Sequence, residues 1–465
     1  MMSSKLSEQS ITRREALRLG VALVGVSLLA GCAPAKPPAE PAEVPVVAEP
    51  PTVPTPIVAE AGKGATELIY WNGLTGSDGV TMVEMVERFA EENQDVSARV
   101  EMMAWDVYYD KLLTSLVSGY PPDLFLLHVS SIPQFADKGV LKPSDPLFDV
   151  NGGPLPLKDF ADPVFSETLY EGTRYGVVID NHGWGFWINT DLVSAGGFDP
   201  AKRPESAAEF IQMAQVLTID KNGKNATESG FDPGNVEQWG TCISWMRVTF
   251  LTTLFQFGGN TVDLARNRAL FDQEPARQAM QFWHDMVYKH QGAPTPSGFD
   301  SWQTMAAGKL AMIPEGSWMR NFLLEHPQIN WKVWKMPPFG PQPATWMSAH
   351  VLYMPSTIDG ARLDAATKLS VYLSDHGLDW AESGQVPARY SQQEQLDPEK
   401  YPSTVVFAEA FREMGKFEPP HVALIELQSA YEPELDAMWN DVKPIPDGLR
   451  DANARVQAIL DRAAT

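Results

Sequence analysis

Cysteine is nearly missing from this chain: 465 residues contain two, Cys32 and Cys242. A disulfide framework is therefore excluded, and a domain of this size must be held by its hydrophobic core. Positive charge is also scarce. The 36 Lys and Arg face 59 Asp and Glu, a net charge of −23, which argues against nucleic acid and anionic membrane surfaces as partners. Long apolar runs are missing too: residues 19–30 are uncharged and mostly apolar, but too few to span a bilayer. Signatures of catalysis and of cofactors are absent. No glycine-rich loop ends in Gly-Lys-Ser or Gly-Lys-Thr, and the threefold spacing of Gly73, Gly76 and Gly79 is not the dinucleotide pattern. Without His-Glu-x-x-His or paired Cys-x-x-Cys, no metal site and no cofactor are expected. Gly-x-Ser-x-Gly is absent, so a hydrolase nucleophile elbow has no support. Paired catalytic carboxylates stay open, because acidic residues are too many for sequence to locate a pair.

What is present begins with an address. Arg13 and Arg14 lie in a basic stretch before the 19–30 run, and Leu29, Ala30 and Gly31 lead directly into Cys32. This is the layout of a signal peptide. The twin arginines resemble a Tat signal, although Ala16 stands where that motif often has Phe. The small residues before Cys32 resemble a bacterial lipobox, which implies removal of 1–31 and acylation of Cys32. Losing the four basic and two acidic residues of 1–31 moves the net charge from −23 to −25. Residues 33–61 hold nine prolines and no aromatic residue, so 32–65 is expected to be an extended tether. At about 3.1 Å per residue it reaches roughly 90 Å.

From about residue 66 the pattern is that of a folded α/β chain, too long for one core and hence expected in two lobes. Residues 68–71 read as a strand, 72–79 as a loop, and Met82, Met85, Val86 and Phe89 as one helix face. A second strand at 98–103 precedes a helix face of Tyr108, Leu112, Leu113 and Leu116, and 124–127 reads as a buried parallel strand. That order implies a parallel sheet with right-handed crossovers. Strands follow at 175–180 and 186–192, separated by a loop at 181–184. Helices are expected over 207–217 and 246–257, and further strands at 332–336 and 346–354.

The stretch 308–318, Gly-Lys-Leu-Ala-Met-Ile-Pro-Glu-Gly-Ser-Trp, reads as a helix end, a short strand at 310–313, and a turn through Pro314, Glu315 and Gly316 that delivers Trp318. Gly308, Lys309, Ala311, Met312, Gly316 and Trp318 match a pattern seen in the extracellular solute-binding proteins of ABC importers that take sugars and oligosaccharides. Residues 135–141, Asn189 and the Ser-Gly-x-x-Pro-x-Arg turn at 383–389 also resemble that family, so the likeness covers nearly all of 66–465. It implies a two-lobed, maltose-binding-protein-like (type II periplasmic-binding) α/β fold. Each lobe is then a mainly parallel sheet flanked by helices, and three crossovers join the lobes. Lobe one is assigned to 66–179 and 350–390, and lobe two to 180–349 and 391–465. It also implies a receptor without catalytic activity, anchored by lipid at the outer face of the cell membrane, monomeric, and partnered by permease subunits and a carbohydrate.

A neutral sugar needs flat aromatic faces together with hydrogen-bond donors and acceptors. The candidates are Thr75, Ser77 and Asp78 after the first strand, His128 and Ser130 after the 124–127 strand, and Asp180, Asn181 and His182 at the first crossing. Trp245, Arg247, Trp318, Trp346 and His350 complete the set. Each has a plainer role open to it. Ser77 and Asp78 suit a helix cap, His128 and His182 a satisfied interior, Trp245 a core, and Arg247 an ion pair. A polyol phosphate or other small polar solute is an alternative ligand, and a surface glycan hydrolase is an alternative activity.

Overall fold

The computed structural model describes residues 56–464. The leader, Cys32 and most of the expected tether lie outside the described residues. Where the prolines stop at Pro56, the chain is already folded: Ile57–Ala61 is an edge strand, antiparallel to Val96–Met102 from Ile57↔Met102 to Ala61↔Ala98. Freed of proline, these residues have N–H groups to give to a ladder, so a strand lies inside the stretch expected to be tether.

The first sheet has the order Ile57–Ala61, Val96–Met102, Thr66–Asn72, Leu124–His128, His350–Tyr353, Val177–Val178. Its three central strands are parallel, with Thr66–Asn72 between the other two. The helices Ser77–Glu92 and Trp105–Ser118 make the crossovers. As the spacing predicts, Met82, Met85, Val86 and Phe89 of the first helix are buried, as are Tyr108, Leu112 and Leu116 of the second. The helix at 77 has Gly76 as its N-cap with no side-chain cap bond; Asp78 Oδ1 accepts only from Gly79 N, at 2.9 Å. Neither Ser77 nor Asp78 therefore acts as the cap.

The second sheet is built on one strand, Asp180–Asn189, buried along its whole length. It meets Val386–Pro387 at its start, Thr345–Ser348 at Gly183 and His182, and then Met312–Gly316 and Trp331–Trp334 on its two sides. The expected loop at 181–184 is thus the first half of a strand. Its glycines serve close packing. A Cβ on Gly183 would meet Trp346 O at 2.6 Å, and one on Gly185 would meet the Phe407 ring at 2.5 Å. The expected turn at 314–316 is also strand. Pro314 sits opposite Phe186 on an edge strand, the position in a sheet where a residue lacking an N–H is tolerated.

The α/β class is as expected, but the mainly parallel pairing is not. In the second sheet only Thr345–Ser348 with Gly415–Lys416 is parallel, and His350–Tyr353 and Val177–Val178 join the first sheet antiparallel. Strands that pass straight from one sheet to the other carry no crossover helix, and parallel pairing needs one. Two such passages occur at single residues. Ile179 separates Val177–Val178 from the long strand, and Ala349 separates Thr345–Ser348 from His350–Tyr353. Ile179 N donates to His350 O at 3.0 Å, tying the first passage to the second, and Ala349 O accepts from Val129 N at 3.0 Å, holding the second against the end of Leu124–His128.

There are two cores, and the second sheet contributes to both: its Trp187, Ile313, Val333 and Met347 join the core of the first sheet. Tyr70, Phe89, residues 124–127 and Leu369 belong to one. Phe210, Phe250, Trp283, Phe339 and Trp439 belong to the other, where the Phe210, Trp283 and Phe339 rings interlock with centroids 5.0 to 6.1 Å apart. Such pairs contribute about 0.5–1.5 kcal/mol each beyond area burial. Among the described residues, no helix is long and apolar enough to cross a membrane.

Candidate functional site

Alternation along a strand puts Asp180, His182 and Trp184 on one face of the long strand. Asp180 is fully buried and takes four hydrogen bonds. His182 Nδ1 donates to its Oδ1 (3.0 Å), His350 Nδ1 to its Oδ2 (2.8 Å), the His350 backbone N–H to Oδ1 (3.0 Å) and Trp380 Nε1 to Oδ2 (2.6 Å). Burial alone would raise the Asp180 carboxyl, but the His350 and His182 imidazoles and their bonds hold it well below the usual carboxylate range. Burial lowers His182, to about 4. His350 lies opposite His128 in the first-sheet ladder. Burial holds His128 well below its ordinary value, and its Nδ1 meets Tyr109 Oη at 2.6 Å. Trp105 covers two of these rings, tilted over His128 at 4.3 Å and stacked on His350 at 5.7 Å with 8° between planes.

Aromatic rings stand on the second-sheet side. Trp318 and Trp346 flank His182, with centroids at 6.1 and 5.8 Å, and Trp318 also touches Trp184 (5.8 Å) and Trp245 (6.0 Å). Trp245 is 54% exposed and holds a left-handed backbone, φ 40°, at the start of helix Met246–Gln256; it is a surface ring and not core. Under these rings lies Glu315, fully buried. Its Oε2 accepts from Trp302 Nε1 at 2.8 Å and its Oε1 accepts from Gly316 N at 3.0 Å, and the nearby Trp318 and Trp245 side chains also favour its ionised form. Burial pushes its pKa up to about 8 against those bonds.

The remaining candidates divide. Asp78 is half-buried, and burial raises its carboxyl while His350 opposes that, which places it electrostatically beside the histidines. Thr75 is exposed, Ser77 opens the helix, and Ser130 is half-buried in the turn after His128. Asn181 points off the shared face, pairs with Val386 in the ladder, and its Oδ1 has no protein partner. Arg247 is already ion-paired, to Glu418 Oε2 and Glu432 Oε1, both at 2.8 Å. Burial would lower it, but those carboxylates hold it charged. The structure therefore gathers Asp180, His182, His350, His128, Trp318, Trp346 and Trp245 at the junction of the sheets. Trp105, Tyr109, Trp184 and Glu315 join them without having been singled out as site residues. Trp105 and Tyr109 share a helix with Tyr108, and that aromatic face reads as plain core from sequence.

A family model, bacterial extracellular solute-binding protein, matches residues 84–404, more than half of the chain. The chain belongs to this family. Among solved structures it resembles an ABC substrate-binding protein of Listeria monocytogenes in complex with cycloalternan, with 20% identity and a TM-score of 0.74 over 85% of this chain and 99% of that one. It also resembles maltose-bound MalE3 of T. maritima, with 19% identity and a TM-score of 0.72 over 85% of this chain and 100% of that one. The GacH receptor of Streptomyces glaucescens is similar at 18% identity and a TM-score of 0.71, over 86% and 99%. These likenesses establish the two-lobed fold. A putative binding protein of Brucella abortus is 24% identical over 157 residues, 33% of this chain and 36% of that protein. The chain thus spans about a third of the length of the curated relatives it matches.

Proposed function

We propose that this solute-binding protein captures a carbohydrate, an oligosaccharide, at the junction of its two sheets and delivers it to the permease subunits of an ABC importer. The observation that carries the reading is the Trp318–Trp245 pair. One indole packs against His182 and Trp184 and the other is largely exposed, beside a polar floor of His182, His350 and Asp180. Aromatic faces with adjacent donors and acceptors suit the C–H faces and hydroxyls of a sugar. Three structures that this one resembles were solved with cycloalternan, maltose and acarbose, which supports the class of ligand. Residues 66–179 with 350–390 form one lobe, 180–349 with 391–465 the other, and closure over the solute presents the form the permease recognises. The protein is a monomer held at the outer membrane face by lipid on Cys32.

The alternatives are less well supported. A phosphate wants unpaired cations, and Arg247 is already matched by two carboxylates. A glycan hydrolase wants a free carboxylate for attack or for activating water, and both oxygens of Asp180 are each held by two donors. A receptor without catalytic activity fits these groups better. A thermal-shift screen against a sugar library identifies the ligand, because binding stabilises the native state by mass action. Trp318→Ala then weakens that ligand by about 2 kcal/mol or more, roughly thirtyfold. Unchanged affinity alongside a large loss of stability in urea sinks the platform role.

A further inference from the structure

Three imidazoles from three different strands converge at the junction of the sheets. One ring nitrogen of each of His128, His182 and His350 lies within 4.8 Å of those of the other two. In every ring Nδ1 is occupied, by Asp180 Oδ1 for His182, Asp180 Oδ2 for His350, and Tyr109 Oη for His128. Nε2 is left in each, and among the described residues no hydrogen bond engages it. A carboxylate or hydroxyl behind the remote nitrogen, with the metal on the other, is the arrangement that orients histidine ligands in metal sites. Asp180 serves two rings at once, and Trp105 packs on two from the side.

We propose that His128, His182 and His350 bind a zinc-class divalent cation through their Nε2 atoms, leaving a fourth position for water or a solute donor. Three neutral nitrogen donors suit Zn²⁺, Co²⁺, Ni²⁺ or Cu²⁺ and not Mg²⁺ or Ca²⁺, which take oxygen. Zn–N bonds of about 2.0–2.1 Å set tetrahedral nitrogens about 3.3 Å apart, so the rings draw in by at most about 1.5 Å.

The test uses the metal alone and is independent of the proposed sugar. The purified full-length protein is stripped with a chelator, dialysed against Zn²⁺ and its bound metal counted by mass spectrometry; Co²⁺ is titrated in parallel for its visible absorption. The expected result is one ion per chain and the intense bands of tetrahedral cobalt. His128→Gln and His182→Gln are expected to weaken binding by about 100-fold, Asp180→Asn by about 10–100-fold, and His326→Gln, outside the cluster, not at all. Circular dichroism and urea melts confirm folding. Should His182→Gln not fold, His128→Gln, at a half-exposed position, decides. Substoichiometric binding by the parent protein overturns the site. So does wild-type affinity in folded His128→Gln, which would assign the ion to surface carboxylates.

Discussion

Glu315 lies beneath the tryptophans with its pKa pushed up to about 8 by burial. In the unfolded chain it titrates near the usual 4.5. Between those values the folded protein holds a proton that the unfolded chain has released, so stability falls as pH rises. The contribution is fully present below pH 4.5 and lost as pH climbs through about 8. The slope within the window approaches about 1.4 kcal/mol per pH unit, and the whole span is on the order of 5 kcal/mol. Glu315→Gln mimics the protonated form, since its carbonyl still accepts from Trp302 Nε1 or Gly316 N. Urea melts of both proteins at half-unit steps from pH 4.5 to 9 isolate this group, because every other titration is shared. The expected difference is small at pH 4.5 and grows in favour of the variant up to pH 8. Parallel curves would refute the buried, protonated carboxyl. A variant less stable at every pH would show that an ionised Glu315 is what the indoles require.

Other outcomes follow from the same geometry. Arg247→Met strands two carboxylates, one of them Glu418, which is buried; a loss of about 3–5 kcal/mol in urea is expected. Trp245→Ala, at an exposed position, is expected to change stability by less than about 1 kcal/mol while weakening the sugar found by the screen in titration calorimetry. Cys32→Ala is expected to release the protein from membranes, read by fractionation, since stable attachment takes two or more acyl chains at about 0.8 kcal/mol per buried CH₂. Incubation of the purified protein with the sugar it binds is expected to yield no shorter products by chromatography.

Much of this fold is legible because apolar periodicity marks elements that bury one face. Met82 to Phe89 and Tyr108 to Leu116 fall where their spacing puts them. The strand from Asp180 to Asn189 is not legible at its start, because Asn181, His182 and Gly183 carry the composition of a loop. Their strand character comes from Val386, Ser348 and Met347 pairing across from distant parts of the chain. The 308–318 stretch announces the family, yet its Pro-Glu-Gly is strand, since an edge position relieves proline of its missing donor. The candidate site divides in the same way. Trp318 stands out through its signature, but the three histidines have no local spacing to connect them. Only the ladder that sets His350 opposite His128, and Asp180 between two rings, brings them together.

The passages at Ile179 and Ala349 also bear on how the molecule would move. When two rigid bodies swing about a pivot, displacement grows with distance from it. Asp180, His182 and His350 stand within three residues of those passages. Opening and closing would carry the outer residues through the longest arcs and leave the polar floor almost in place. A solute could then be met first by an assembled floor and only afterwards by its walls, so that arrival and enclosure become separate events in time.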